Sequence, residues 1–182
     1  MADPSDSASS IAIRIGWSGS LSRIPTPSRL ASPLPGKDCA APTGRTAENE
    51  KAIGAFLEPD TIKTIYLHGH PDPEKISPDN WSVDNHFLER PNARQVQLDF
   101  FYDYRTNVDL YPKWQAFLRE KQPETIIFWG QNDIFFTKEG GEAFLQVLPK
   151  AEMHRLQSGH FALEDCLDEI AGKMSAFYRA LK

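Results

Sequence analysis

The sequence predicts an α/β fold in which a helical region precedes a small parallel sheet. Apolar residues recur at helical spacing between residues 46 and 121. A short apolar run rich in β-forming residues, Thr125 to Trp129, then indicates a strand buried on both faces. The chain closes in the order strand, helix, strand, helix, which implies a parallel pair of strands joined by a crossover.

Residues 1–45 have a different composition from the rest of the chain. Ser, Pro and Gly make up 19 of these 45 residues, and Trp17 is the only aromatic residue among them. Such a segment cannot bury enough apolar surface to offset its chain entropy. It carries five bases and three acids, whereas the remaining residues carry 15 bases and 22 acids. We therefore expect a disordered tail over 1–45 and a folded part that begins near Thr46.

The segment from 46 to 121 is predicted to be all-helical. Thr46 is placed to cap the first helix, a proline opens the second, and Ser77 with Pro78 begins the third. The fourth helix is expected to bury Val96 and Phe100, and a loop at Thr106 and Asn107 separates it from the fifth. The predicted helices cover 46–57, 59–68, 77–91, 93–104 and a last stretch that carries Leu110, Trp114, Phe117 and Leu118.

The segment from 122 to 182 changes to the strand period. It contains a strand over 125–129, a helix over 137–148, a second strand over 151–156 and a closing helix over 163–181. The closing helix repeats apolar residues at steps of three and four.

Composition and charge exclude several classes of partner. The chain has 25 acids against 20 bases, for a net charge of −5, and a nucleic-acid surface needs a surplus of bases. No apolar run approaches the roughly 20 residues that cross a bilayer. The first residues lack the basic and apolar regions of an export signal, and Cys39 and Cys166 are expected to be free thiols. We expect a soluble, cytoplasmic protein that binds neither nucleic acid nor membrane.

Two polar side chains follow the two predicted strands. Asp133 comes just after the first strand in the string WGQND, and His160 follows the second in the string GHFALE. Function collects at the carboxyl ends of strands in open α/β sheets, so these side chains are candidates for an acid and a base. Each residue alone is also compatible with a local role, Asp133 as a helix cap and His160 in a tight turn.

The order of these strings resembles the α/β-hydrolases. Together with ISPDNW and FFYDYRTNVDLYPKWQAFLR, they are similar to the group that includes epoxide hydrolases and haloalkane dehalogenases. The resemblance covers residues 46–182 and implies a partial α/β-hydrolase fold, with a helical cap over 46–121 and the last two strands over 122–182. It implies hydrolysis of a small apolar substrate, namely an epoxide, a haloalkane or an ester, with no cofactor and no metal.

The resemblance also implies roles for individual residues. Asp133 would orient His160, and His160 would act as general base on a water or on a serine nucleophile. Tyr104 and Asn107, which flank the predicted loop, and Trp129 are predicted to contact substrate. Packing in the protein interior is the alternative for Tyr104 and Trp129.

The nucleophile is the departure from the family pattern. The family carries it after the fifth strand, ahead of the cap, and only residues 1–45 precede the cap here. We therefore expect that the N-terminal nucleophile half is missing and that the chain is weakly active or inactive.

Three alternatives stay open. Ser18 lies in the string GWSGS, which follows the strand-like run from Ile11 to Ile15. A nucleophile turn must lead into a helix, and the prolines at 25, 27, 33 and 35 oppose that helix. A non-catalytic remnant would bind a partner protein, or a second copy, through its exposed sheet edge. Residues 1–45 could also come from a mistaken start, exon or reading frame.

Overall fold

The computed structural model describes residues 11–14 and 45–181 of the chain. Its strands are β1 (Ile11–Arg14), β2 (Thr125–Gly130) and β3 (Glu152–Leu156). Its α-helices are α1 (Ala47–Gly54), α2 (Pro59–Leu67), α3 (Asp79–Leu88), α4 (Ala93–Asp103), α5 (Arg105–Lys121), α6 (Lys138–Val147), α7 (Ala162–Asp165) and α8 (Leu167–Ala180), and single 3₁₀ turns cover Ala55–Leu57 and Pro73–Lys75.

The described strands form one parallel sheet in the order β1, β2, β3. All six residues of the central strand β2 are buried, and its alternate side chains serve two separate core clusters. Ile127 packs under α6 with Phe144, whereas Ile126 packs on the opposite face with Ile170 of α8. The predicted strand, helix, strand, helix order and the parallel pairing of β2 with β3 are confirmed.

Strand β1 corrects the prediction of a disordered tail at four residues. Ile11 pairs with Thr125 and Arg14 with Phe128, so β1 runs along the free side of the central strand. The strand-like character of this run, in which β-branched residues alternate, is visible in the sequence, but composition assigned it to the tail because pairing with a buried strand is a long-range contribution. The rest of the predicted tail, including Ser18, lies outside the described residues.

The helices over 46–121 follow the sequence prediction, with differences at the fourth and fifth helices. Thr46 caps α1 as predicted, since its hydroxyl accepts a hydrogen bond from the Asn49 N–H at 3.2 Å. The predicted loop at Thr106 and Asn107 is wrong, because both residues lie in the first turn of α5. The Thr106 hydroxyl donates to the Asp103 carbonyl at 2.8 Å. A carbonyl at the end of α4 thereby gains a hydrogen-bond partner, and the chain enters α5 without a loop.

Two further side chains differ from the prediction. Val96 and Phe100 of α4 were predicted to be buried but are 46% and 63% exposed.

Within 11–14 and 45–181, no helix combines the length and the apolar character that a bilayer span requires.

The β3 edge of the sheet carries charged and polar side chains. Glu152 bonds to His154 at 2.6 Å, and Arg155 pairs with Glu142 at 3.1 Å. Charged side chains along an edge strand oppose the addition of another strand.

Tyr66 of α2 connects two helices to the loop after β3. Its hydroxyl donates to Asp84 of α3 at 2.7 Å, and its ring stacks on Phe161 with centroids 4.0 Å apart. Burial raises the pKa of the Tyr66 hydroxyl above its ordinary value of 10.0, and the hydrogen bond to Asp84 acts in the same direction. The folded chain therefore keeps this hydroxyl protonated where the unfolded chain loses the proton.

The substitution Tyr66→Phe tests this contact. Near pH 8 it should lower the free energy of unfolding by about 1 kcal/mol through loss of the hydrogen bond. The raised pKa stabilises the wild-type fold fully below about pH 10, and this contribution is lost as the pH rises toward the folded-state value. Urea unfolding should therefore show a steeper alkaline loss of stability for wild type than for Tyr66→Phe. Tyr178→Phe, at a 43% exposed position, is the control, and parallel curves for wild type and Tyr66→Phe would contradict the prediction.

Candidate active site

Asp133 lies in the turn that follows β2, and its carboxylate is held by the backbone beyond it. Oδ1 accepts hydrogen bonds from the N–H groups of Phe135 at 2.7 Å and Phe136 at 3.0 Å. This side-chain-to-backbone turn is a common use of Asp, because its short side chain reaches the amides two and three residues on. One carboxylate oxygen is therefore occupied, and the other is free to face a neighbouring loop.

His160 in that neighbouring loop makes the second carboxylate contact. Its Nδ1 lies 2.9 Å from Asp133 Oδ2, and the two side chains are only 7% and 5% exposed. An ionised carboxylate can only accept, so the proton of a neutral ring lies on Nδ1 and the lone pair lies on Nε2. Nε2 has no hydrogen-bond partner among the residues that the structure describes. Nε2 is therefore the ring nitrogen that can accept a proton, and it points away from Asp133.

Three phenylalanine rings surround the imidazole. Phe136 stacks on it with centroids 5.4 Å apart and planes at 17°, while Phe135 and Phe161 each present edges at 5.1 Å. From the helical part, Phe56 packs against Phe135 at 5.8 Å. The ring of His160 is therefore fixed in orientation and surrounded by apolar side chains, where electrostatic interactions are stronger than in water.

Hydrogen bonds directly join two loops. The acid loop follows β2 and carries Asp133, and the histidine loop follows β3 and carries His160. The N–H of Asn132 donates to the carbonyl of Ser158 at 3.0 Å, and the Asn132 side-chain amide donates to the carbonyl of Gly69 at 2.8 Å. Gly69 has φ +84°, and a Cβ on Gly159 would lie 1.9 Å from the carbonyl oxygen of His68. The turn after α2, the acid loop and the histidine loop thus meet at van der Waals distance, which only residues without a side chain allow.

The other predicted site residues lie elsewhere. Trp129 is 2% exposed in the core cluster under α6, and its Nε1 donates to the Phe136 carbonyl at 2.9 Å, so its position is that of a core residue. Tyr104 joins α4 to α5, and its hydroxyl lies 2.7 Å from that of Tyr111. Asn107 is half-buried in the first turn of α5. Within the described part of the chain, no hydrogen bond or ring contact joins Tyr104 or Asn107 to the Asp133 and His160 pair.

Sequence reasoning missed the rings around His160 and the hydrogen bond that the Ser158 hydroxyl donates to Asp165 Oδ2. The rings had a detectable signal, because Phe135 and Phe136 follow Asp133 by two and three positions and Phe161 directly follows His160, in turns where neighbours stay close. Ser158 and Asp165 had no such signal, since their contact depends on the path of the loop.

Among the described residues, no group of three or more His, Cys, Asp or Glu side chains is arranged to hold a metal ion.

Comparison with solved structures decides the fold. A serine hydrolase from the polyaromatic hydrocarbon-degrading bacterium Cycloclasticus zankles aligns over 87% of this chain with a TM-score of 0.61 and 11% identity. A 2-hydroxy-6-oxo-6-phenylhexa-2,4-dienoate hydrolase from a Rhodococcus strain aligns over 77% with a TM-score of 0.57 and 18% identity. The chain carries part of the α/β-hydrolase fold.

A curated relative of this chain comes from Saccharomyces cerevisiae and is named as an uncharacterized hydrolase. It is 31% identical over 129 residues, which are 70% of this chain and 44% of the relative. The chain also spans 53% and 52% of the two bacterial structures. It therefore corresponds to about half the length of the proteins that it matches. No family model matches the sequence.

The substitution Gly159→Ala tests the close approach of the loops. The added methyl group would overlap the backbone of the turn after α2, so we expect the free energy of unfolding to fall by about 2 kcal/mol or more. Gly172→Ala in α8 is the matched control, because its added Cβ meets no atom within 4 Å and alanine favours a helix. Thermal and urea unfolding of both variants measure the difference. Equal stability of the two variants would contradict the prediction.

Proposed function

We propose that this chain supplies the acid and the base of an α/β-hydrolase that acts on a small apolar substrate, such as an epoxide, a haloalkane or an ester. The observation that carries the proposal is the buried 2.9 Å hydrogen bond between Asp133 Oδ2 and His160 Nδ1. The two residues follow neighbouring parallel strands in the order acid, then histidine, that the family uses. The 31% identity to a yeast protein named as a hydrolase supports hydrolysis as the type of reaction.

His160 is the general base in this proposal. Its Nε2 takes the proton of a water that hydrolyses an ester formed with an aspartyl nucleophile, or the proton of a serine nucleophile. The ring becomes positively charged as the proton arrives, and the adjacent Asp133 carboxylate stabilises that charge. The two backbone N–H bonds to Oδ1 keep the carboxylate in place throughout. Neither route requires a cofactor.

The aromatic surroundings of His160 support an apolar substrate. The rings of Phe135, Phe136 and Phe161 would contact an apolar molecule at Nε2, and Phe56 extends this surface toward Phe101 at 6.5 Å. We infer that residues 46–121 serve as the cap over the site. In that role, the Tyr104 hydroxyl and the Asn107 amide are the polar groups proposed to contact a substrate oxygen.

The nucleophile of this site is not identified among the described residues. Nε2 of His160 faces no hydroxyl, thiol or carboxylate among the described residues at hydrogen-bond distance. An oxyanion hole and a nucleophile each contribute several kcal/mol to lowering a hydrolytic barrier. We therefore expect the 182-residue chain to hydrolyse substrates weakly.

The position of β1 favours Ser18 as a candidate for the nucleophile. Because β1 is parallel to β2, its carboxyl end lies at the same edge of the sheet as Asp133. Ser18 follows Arg14 by four residues, a reach of roughly 14 Å along an extended chain. Under this alternative the chain is a serine hydrolase.

Substitutions of the acid and base test the principal proposal. His160→Ala and Asp133→Asn should each reduce hydrolysis by roughly 10²-fold to 10⁴-fold, up to the limit set by the wild-type rate, because the proton acceptor or its orientation is lost. Ester cleavage, diol formation from an epoxide and halide release from a haloalkane are the three assays. His86→Ala, at an exposed position of α3, is the control and should keep the wild-type rate. Full activity in His160→Ala or in Asp133→Asn would refute the proposal.

The substitution Ser18→Ala tests whether Ser18 is the nucleophile. If Ser18 attacks the substrate, the variant should lose ester cleavage as completely as His160→Ala, and a covalent serine-directed inhibitor should label wild type but not the variant. Ser22→Ala is the matched control in the same segment. Unchanged ester cleavage in Ser18→Ala would eliminate the serine route.

A further inference from the structure

Ser158 lies between the acid loop and the histidine loop and is completely buried. Its carbonyl accepts the 3.0 Å hydrogen bond from Asn132 N–H, next to Asp133. Its hydroxyl donates to the Asp165 Oδ2 carboxylate oxygen. Ser158 is thus bonded on one side to the loop that carries the acid and on the other to the residue that ends α7.

The bond from Ser158 to Asp165 closes a loop that contains His160. Residue 158 comes two positions before the histidine and residue 165 five positions after it. Within this loop the N–H of Asp165 donates to the Phe161 carbonyl at 3.2 Å. Gly159, immediately before the histidine, packs against the carbonyl of His68. The side-chain bond is therefore a further restraint on the segment that carries the imidazole, in addition to the three phenylalanine rings.

The second oxygen of Asp165 indicates a role beyond stabilising the fold. Asp165 Oδ1 is buried and has no hydrogen-bond partner within the part of the chain that the structure describes. A buried carboxylate oxygen without a partner lowers stability, and such groups are rare in folded proteins. The carboxylate at this position is thus better explained by what it holds than by its own contribution to folding.

We propose that Ser158 and Asp165 are positioning residues that hold His160 Nδ1 against Asp133. Asp165 binds the Ser158 hydroxyl, Ser158 binds the acid loop through its carbonyl, and the histidine between them is kept at hydrogen-bond distance from its acid. The inference rests on the proposed function, because it assigns these residues to the same acid and base pair.

Nuclear magnetic resonance of the full chain with ¹⁵N-labelled histidine tests the inference without depending on turnover. A proton on His160 Nδ1 that is bonded to a buried carboxylate exchanges slowly with water and gives a separate downfield signal. The signal is assigned by its absence in His160→Gln and Asp133→Asn. Circular dichroism and thermal unfolding establish that each variant is folded. Ser158→Ala and Asp165→Ala should lose the signal or increase its exchange rate at least tenfold.

Two further variants separate positioning from general effects. Asp165→Asn keeps an oxygen that accepts from Ser158 and should retain the signal, and Asp168→Ala removes a nearby exposed acid and should leave it unchanged. If Ser158→Ala does not fold, the comparison of Asp165→Ala with Asp165→Asn carries the test. A wild-type signal that persists unchanged in both alanine variants overturns the positioning role alone. A wild-type chain without the signal overturns the proposed acid and base pair and this inference with it.

Discussion

The close approach of two loops at the carboxyl edge of β2 and β3 is the constraint on which the site depends. A hydrogen bond between Asp133 and His160 forms only if the turn after each strand brings its side chain to the other. The Asn132 N–H bond to Ser158 sets that separation, and the lack of a side chain at Gly159 permits it. The chemistry of the pair follows, because a carboxylate that accepts from Nδ1 leaves Nε2 as the basic nitrogen.

The helical part of the molecule is attached at the same place. The Gly69 carbonyl accepts from the Asn132 side chain, and Tyr66 stacks on the ring of Phe161. One contact thus joins the acid loop and the other joins the histidine loop. Any displacement of α2 would be transmitted to both loops, since packed interiors adjust poorly to small shifts. The position of α2 and the orientation of His160 are therefore physically linked.

Much of the fold could be predicted because its signals are local. Thr46 as a helix cap, the buried run of β2 and the period of α6 depend on neighbours within one or two turns of chain. The errors arose where distant contacts decide. Phe100 fits a helical apolar stripe but is exposed, because no described element covers that face of α4. Strand β1 could not be separated from its polar surroundings by composition, because β2 supplies its hydrogen bonds.

The sequence by itself determined the order of helices and strands from residue 46 onward, and it showed that Asp133 and His160 follow the two predicted strands. Tertiary structure alone decided that the two side chains touch, that Trp129 belongs to the core and that Phe135, Phe136 and Phe161 surround the imidazole. The physical reason is the range of the interactions. Strand and helix formation depend mainly on residues close in sequence, whereas a hydrogen bond between positions 133 and 160 depends on where β2 and β3 end relative to each other.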